Sequence, residues 1–158
     1  MNKGVVAVVA AAVGIGSGAA LMEMKRIKDV EAKKTLSDKH LQMFKMMDRW
    51  VGVRQEGKRL IEYFITREYQ KVIIYGMHYA GERLVEELRD TDIKIVCGID
   101  RNAKSIYTDF DVITMEEKIP EADVIVVTAI SSFDEIEEKL KNRVNCPIVS
   151  LEDVVYEL

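Results

Sequence analysis

Gly76, Gly81 and Asp100 stand at spacings that suit phosphate and ribose recognition. Gly76 closes the apolar run Val72-Ile73-Ile74-Tyr75, and Gly81 follows five residues later. From Ala80 the apolar spacing turns helical, with Ala80, Leu84, Val85 and Leu88 on one face. A strand, a glycine turn and a helix open a nucleotide-binding βαβ unit, because the first helical turn offers free N–H groups and a positive dipole end to a phosphate. A second apolar run, residues 93–99, ends in Asp100. Such a unit places an acid there to accept ribose hydroxyls.

Ligands of this kind sit beyond the carboxyl ends of the strands, where the strand order reverses. The expected nucleotide-binding residues are Gly76, Met77, His78, Tyr79 and Gly81 from the glycine turn. Asp100, Arg101 and Asn102 join them after the second strand, and Thr128 and Ser131 after a later one. Set against the dinucleotide fingerprint G-x-G-x-x-G, the middle glycine is His78. A side chain there crowds the pyrophosphate, which argues against NAD in its usual pose. His78 either hydrogen-bonds a phosphate or sugar, or caps the helix. Asp100 is either a ribose acceptor or the turn carboxylate of Asp-Arg-Asn, and Arg101 contacts a phosphate or only solvent. No Tyr-x-x-x-Lys pair, P-loop, GxSxG or zinc motif is present, so no catalytic or metal residue is assigned.

The elements that must position these residues alternate β and α from residue 71 onward. Strand 72–75, helix 79–89 and strand 93–99 lead to a short strand at Val112–Ile113, after an irregular stretch containing Asn102 and Tyr107. Residues 122–128 form a continuous apolar strand, suited to burial on both faces of a parallel sheet. Ser132-Phe133-Asp134-Glu135 reads as a capping box, with Phe133, Ile136 and Leu140 facing inward. Strand 147–149 and a closing helix capped by Ser150 or Asp153 complete the pattern. Right-handed crossovers then predict a five-stranded parallel sheet in the order 3-2-1-4-5.

Residues 4–22 carry no charge, and at about 1.5 Å each they reach roughly 28 Å, one hydrocarbon thickness. Three readings compete: a single membrane helix, a cleaved signal peptide ending near Ser17-Gly18-Ala19, or a second glycine fingerprint at Gly14, Gly16 and Ala19. Lys25, Arg26, Lys28, Lys33 and Lys34 follow the span and only Lys3 precedes it. That asymmetry favours a single-pass membrane helix with the body in the cytoplasm. Ala10, Gly14 and Gly18 repeat at four-residue spacing, which permits close helix approach or is simply an Ala/Gly-rich span.

A charged helical stalk follows. Ser37 can cap a new helix, in which Leu41, Phe44, Met47 and Val51 form a stripe flanked by Met43, Met46 and Trp50. Gly57 breaks it, and Leu60, Ile61, Phe64 and Ile65 mark a second amphipathic helix ending near Tyr69. These stripes pack on the α/β domain or on another copy of the chain. The organisation is residues 1–24 as a membrane helix, 25–69 as a stalk and 70–158 as the α/β domain.

At 158 residues the chain holds one domain and an appendage. Its net charge of −4, without a basic run interleaved by aromatics, argues against nucleic-acid binding. Cys97 and Cys146 read as reduced core cysteines of a cytoplasmic domain.

The pattern YG-x4-G, a strand ending in ID-x-N, then ADVIVVTA, F-x-EI-x-x-x-L and CPIVSLEDV, resembles small Rossmann-like domains of bacterial surface-polysaccharide proteins. These are often called nucleoside-diphosphate-sugar epimerase-like. The pattern is also similar to the C-terminal Rossmann-like domain of sugar C-methyltransferases, over roughly residues 70–158. The upstream run DRWVGVRQEGKRLIEYF resembles the helical segment that precedes such domains. The resemblance implies a nucleotide, nucleotide-sugar or NAD(P) setting. Three functions follow as expectations: a membrane-tethered binding module in polysaccharide synthesis, an NAD(P)-dependent sugar-modifying enzyme completed by a partner, or a ligand-free assembly protein acting through its helices.

Overall fold

Val124–Val127 are buried without a break, which a strand tolerates only when both faces of its sheet are covered. In the computed structural model this run is β4 of a five-stranded parallel sheet. The structure describes residues 3–158, with side chains from Leu21 onward. The strands are β1 (Lys71–Tyr75), β2 (Lys94–Ile99), β3 (Val112–Ile113), β4 (Val124–Val127) and β5 (Ile148–Ser150). Their order is β3-β2-β1-β4-β5, as the sequence pattern predicts. Every pairing is parallel, and β1 is central, with Ile73 opposite Cys97 on one side and Ile125 on the other.

The helices are α1 (Lys3–Gln55), α2 (Ile61–Thr66), α3 (Tyr79–Leu88), α4 (Phe133–Leu140) and α5 (Leu151–Tyr156). The chain divides into two units, one ending at Leu41 and one spanning Gln42–Leu158. In the first unit every described side chain is exposed. The second unit is the α/β fold, and it takes in residues 42–69 as well as the expected domain 70–158.

Alternation along the strands sorts the core of this unit into two layers. Ile74, Val124 and Val126 pack with α2, α3, α5 and the end of α1. Ile73, Cys97, Ile125 and Val127 pack with Ile136 and Leu140 of α4. Tyr63 and Phe64 of α2 meet edge to face at 5.5 Å within the first layer.

Some local expectations are corrected. Ser37 starts no new helix, because α1 runs through it without interruption. Of the stripe Leu41, Phe44, Met47 and Val51 only Met47 is half-buried against the core and the other three are exposed, whereas the flanking Met46 and Trp50 are buried together with Val53. This end of α1 carries two apolar faces, and the sheet takes the one bearing Trp50. Ser132 makes no side-chain cap. A 3-10 turn, Ile130–Ser132, leads directly into α4 and gives Ser132 φ −126° and ψ 18° instead of the extended backbone an N-cap needs. Ser150 does cap α5, accepting the Glu152 N–H at 3.2 Å. Gly57 follows the end of α1 with φ +81°, as its expected breaking role requires. The expected membrane span, residues 4–22, lies outside the described side chains except for Leu21 and Met22. Among the described residues no helix is long and apolar enough to cross a membrane.

Candidate functional site

The turn after β1 is fastened from both neighbouring strands. Gly76 takes φ +94°, a conformation that only glycine adopts without strain. Its N–H donates to Ile99 O of β2 at 2.8 Å. From β4 the Thr128 hydroxyl lies 2.6 Å from Gly76 O and 3.1 Å from Tyr75 O, sharing one proton between two carbonyls. A Cβ on Gly76 would fall 2.6 Å from that hydroxyl. On Gly81 a Cβ would fall 2.1 Å from Gly76 O. Gly81 therefore allows α3 to lie directly against the turn, which is the packing role of the last glycine in a phosphate-binding βαβ unit.

His78 is the residue before α3, with extended backbone, and its O accepts the Glu82 N–H at 2.9 Å. Its imidazole makes no cap bond. It is exposed and meets the Tyr79 ring edge-on at 4.0 Å. The capping alternative for His78 is thus not realised. The first turn of α3 keeps N–H groups without intrahelical partners, and beside them stand two exposed rings.

Asp100 is engaged at both oxygens. Oδ2 accepts the Met77 N–H at 2.9 Å and Oδ1 accepts the Asn102 N–H at 2.8 Å. Each carboxylate oxygen retains a further lone pair for a ribose hydroxyl. Met77, Gly81 and Thr128 are buried and act as supports of the turn. Met77 packs over Gly98, where a Cβ would meet its sulfur at 2.8 Å. His78, Tyr79, Arg101, Asn102 and Ser131 are exposed. They form the accessible part of the expected site, with Gly76 and Asp100 half-buried behind them.

A cleft of about 910 Å³ opens along the flank of α3. Met77, Val85 and Ile106 give it apolar lining, and Arg83 and Arg89, the carboxylates of Glu82, Glu86 and Asp109, and Ser105, Tyr107 and Thr108 give it polar lining. Tyr107 is 94% exposed. Sequence reading did not assign this cleft. Its signal is the short β2–β3 connection, which holds only the 3-10 turn Ala103–Ser105 where a parallel crossover ordinarily carries a helix. The flank of α3 that such a helix would cover is left open.

Cys97 faces the α4 layer, away from this cleft. Burial, with Asp111 nearby, pushes its thiol up to about 11, so it is inert at neutral pH. Among the described residues no His, Cys, Asp and Glu cluster is suited to a metal ion.

No curated protein and no solved structure matches the chain. A family model described as C2185-like, N-terminal, matches residues 68–147. The match covers just over half of the chain and includes the glycine turn, Asp100 and Thr128. Through this segment the chain belongs to the C2185-like, N-terminal family.

Proposed function

We propose that the α/β unit is a nucleotide or nucleotide-sugar binding module. The observation that carries this reading is the fastened glycine turn at the point where the strand order reverses, with the Gly81 Cα against Gly76 O. In this reading the phosphate sits on the first turn of α3, where N–H groups and the helix dipole favour an anion. Ribose hydroxyls take the remaining lone pairs of Asp100, with Arg101, Asn102 and Ser131 at the rim. The base or sugar extends toward the cleft beside Tyr107. His78, where the fingerprint has glycine, disfavours NAD(P) relative to a mononucleotide. The resemblance to surface-polysaccharide proteins supports a role accessory to polysaccharide synthesis. The uncharged segment 4–22 and its basic flank support a membrane tether with the α/β unit in the cytoplasm.

A second reading, a ligand-free assembly protein, is favoured by one observation. Asp100 and Thr128 both spend hydrogen bonds on holding the turn. Isothermal titration of the full chain in nonionic detergent with UDP, a UDP-sugar and NAD separates the two. Binding of UDP or the UDP-sugar, weakened by Asp100→Ala, supports the first. Absence of heat with all three at millimolar concentration overturns it and leaves the assembly reading.

A further inference from the structure

The end of α1 has a buried face and an exposed apolar face. Met46, Trp50 and Val53 pack into the α/β core, whereas Phe44 is 67% and Val51 53% exposed. At about 100° per residue these two sit on the opposite side of the helix. Their spacing belongs to a heptad phase that can be counted back along α1. With Ile27 at position a, the a positions are Ile27, Lys34, Leu41 and Asp48. The d positions are Val30, Ser37, Phe44 and Val51. The five apolar members of this seam are each at least half exposed.

The charges beside the seam select its occupant. Arg26 and Lys33 fall at g, and Glu31 and Asp38 at e. In a parallel, in-register pair each g residue faces the e residue five positions on in the other helix. Arg26 then meets Glu31 of a second copy and Lys33 meets Asp38, and symmetry repeats both contacts. An antiparallel pair would instead set g against g and e against e. Lys45 also falls at e, so that pairing brings Glu31 to Lys45 but Asp38 to Asp38, and Lys33 only to Met47. Beside the seam the parallel pair therefore makes more opposite-charge contacts than the antiparallel one and avoids its Asp38–Asp38 contact. Lys34, Ser37 and Asp48 interrupt the apolar seam, and the in-register pair sets Lys34 against Lys34 and Asp48 against Asp48, which lowers its stability.

We infer that α1 forms a parallel, in-register, two-stranded coiled coil with a second copy of this chain over residues 27–51. The occupant follows from the charge pattern, and the inference is independent of nucleotide binding.

Sedimentation velocity of the full chain in nonionic detergent tests it, with two charge variants. One carries Arg26→Glu and Lys33→Glu, the other Glu31→Lys and Asp38→Lys. The unmodified chain is expected to dimerise at tens of micromolar, on the order of a modest coiled coil. Each variant alone should dissociate about tenfold more readily or beyond, and an equimolar mixture should restore dimers. Val30→Cys, in a chain also carrying Cys146→Ser, should give a disulfide-linked dimer on mild oxidation, because a parallel register brings the two d positions together. Near-ultraviolet circular dichroism confirms that each variant keeps the α/β fold. A monomeric parent, a mixture that does not restore dimers, or no cross-link in the Val30→Cys chain overturns the inference. So does association that persists in both charge variants, which places the contact elsewhere.

Discussion

The Met77 N–H donates to Asp100 Oδ2 at 2.9 Å, and this bond ties the glycine turn after β1 to the end of β2. The other oxygen of Asp100 holds the Asn102 N–H, so one carboxylate orders two consecutive loops at the carboxyl edge of the sheet. Asp100→Ala leaves both donors without this acceptor and should cost about 1–3 kcal/mol. Asp100→Asn keeps one acceptor oxygen and should cost less. Urea midpoints in the absence of ligand check this. An unchanged midpoint for Asp100→Ala would mean that the acid serves a ligand alone.

Two glycines should respond very differently to alanine. At Gly81 the new Cβ meets backbone, Gly76 O, at 2.1 Å, and neither α3 nor the fastened turn can retreat. Gly81→Ala should cost more than about 3 kcal/mol, or prevent folding. Gly57 also has positive φ, but nothing lies within 4 Å of its Cβ position. Gly57→Ala should cost only the conformational strain, about 1–2 kcal/mol. Equal losses in chemical unfolding would contradict this assignment of the Gly81 contact.

His78→Gly probes the fingerprint position. The imidazole makes no cap bond, so stability should change by only a few tenths of a kcal/mol. Removing the side chain restores the middle glycine of the pattern and should strengthen NAD binding relative to a UDP-sugar. Calorimetry with both ligands reads the outcome. A drop of roughly tenfold to a hundredfold in phosphate-ligand affinity would instead identify His78 as a donor to the bound anion.

Two titrating groups shape the pH dependence in opposite directions. The Gln70 N–H and then the Lys71 N–H, at 2.8 and 2.7 Å, hold the Asp123 carboxyl below the usual carboxylate range. Its contribution is present above the unfolded value of about 3.9 and is lost as the pH falls further. Burial raises Cys97 to about 11. Its contribution is full below the unfolded thiol value of about 8.5 and is lost as the pH climbs toward 11. Asp123→Asn should flatten the acid limb of a urea-midpoint profile, and Cys97→Ala the alkaline limb.

The strand sequence was legible because a strand buried on both faces has to be apolar throughout, and Val124–Val127 and Val72-Ile73-Ile74 are. With three further short strands, β2, β3 and β5, and short connections, few orders remain, and the predicted one is observed. Gly76 and Gly81 were legible for a related reason. A positive φ and a backbone contact each exclude side chains, whatever else the fold does. Other features depend on neighbours that lie far along the chain. Periodicity places both Phe44 and Trp50 on apolar faces of one helix, but only the sheet's position decides that Trp50 is covered. Ser132 has the right partner spacing for a cap, yet the turn arriving at Ile130 sets its backbone and withholds the bond. Asp100 reads as a ribose acid from its place after β2. That its oxygens already hold Met77 and Asn102 follows from the folding of two separate loops onto one edge. The cleft along α3 exists because the β2–β3 connection is too short to cover it, a property of two elements together rather than of any residue in either.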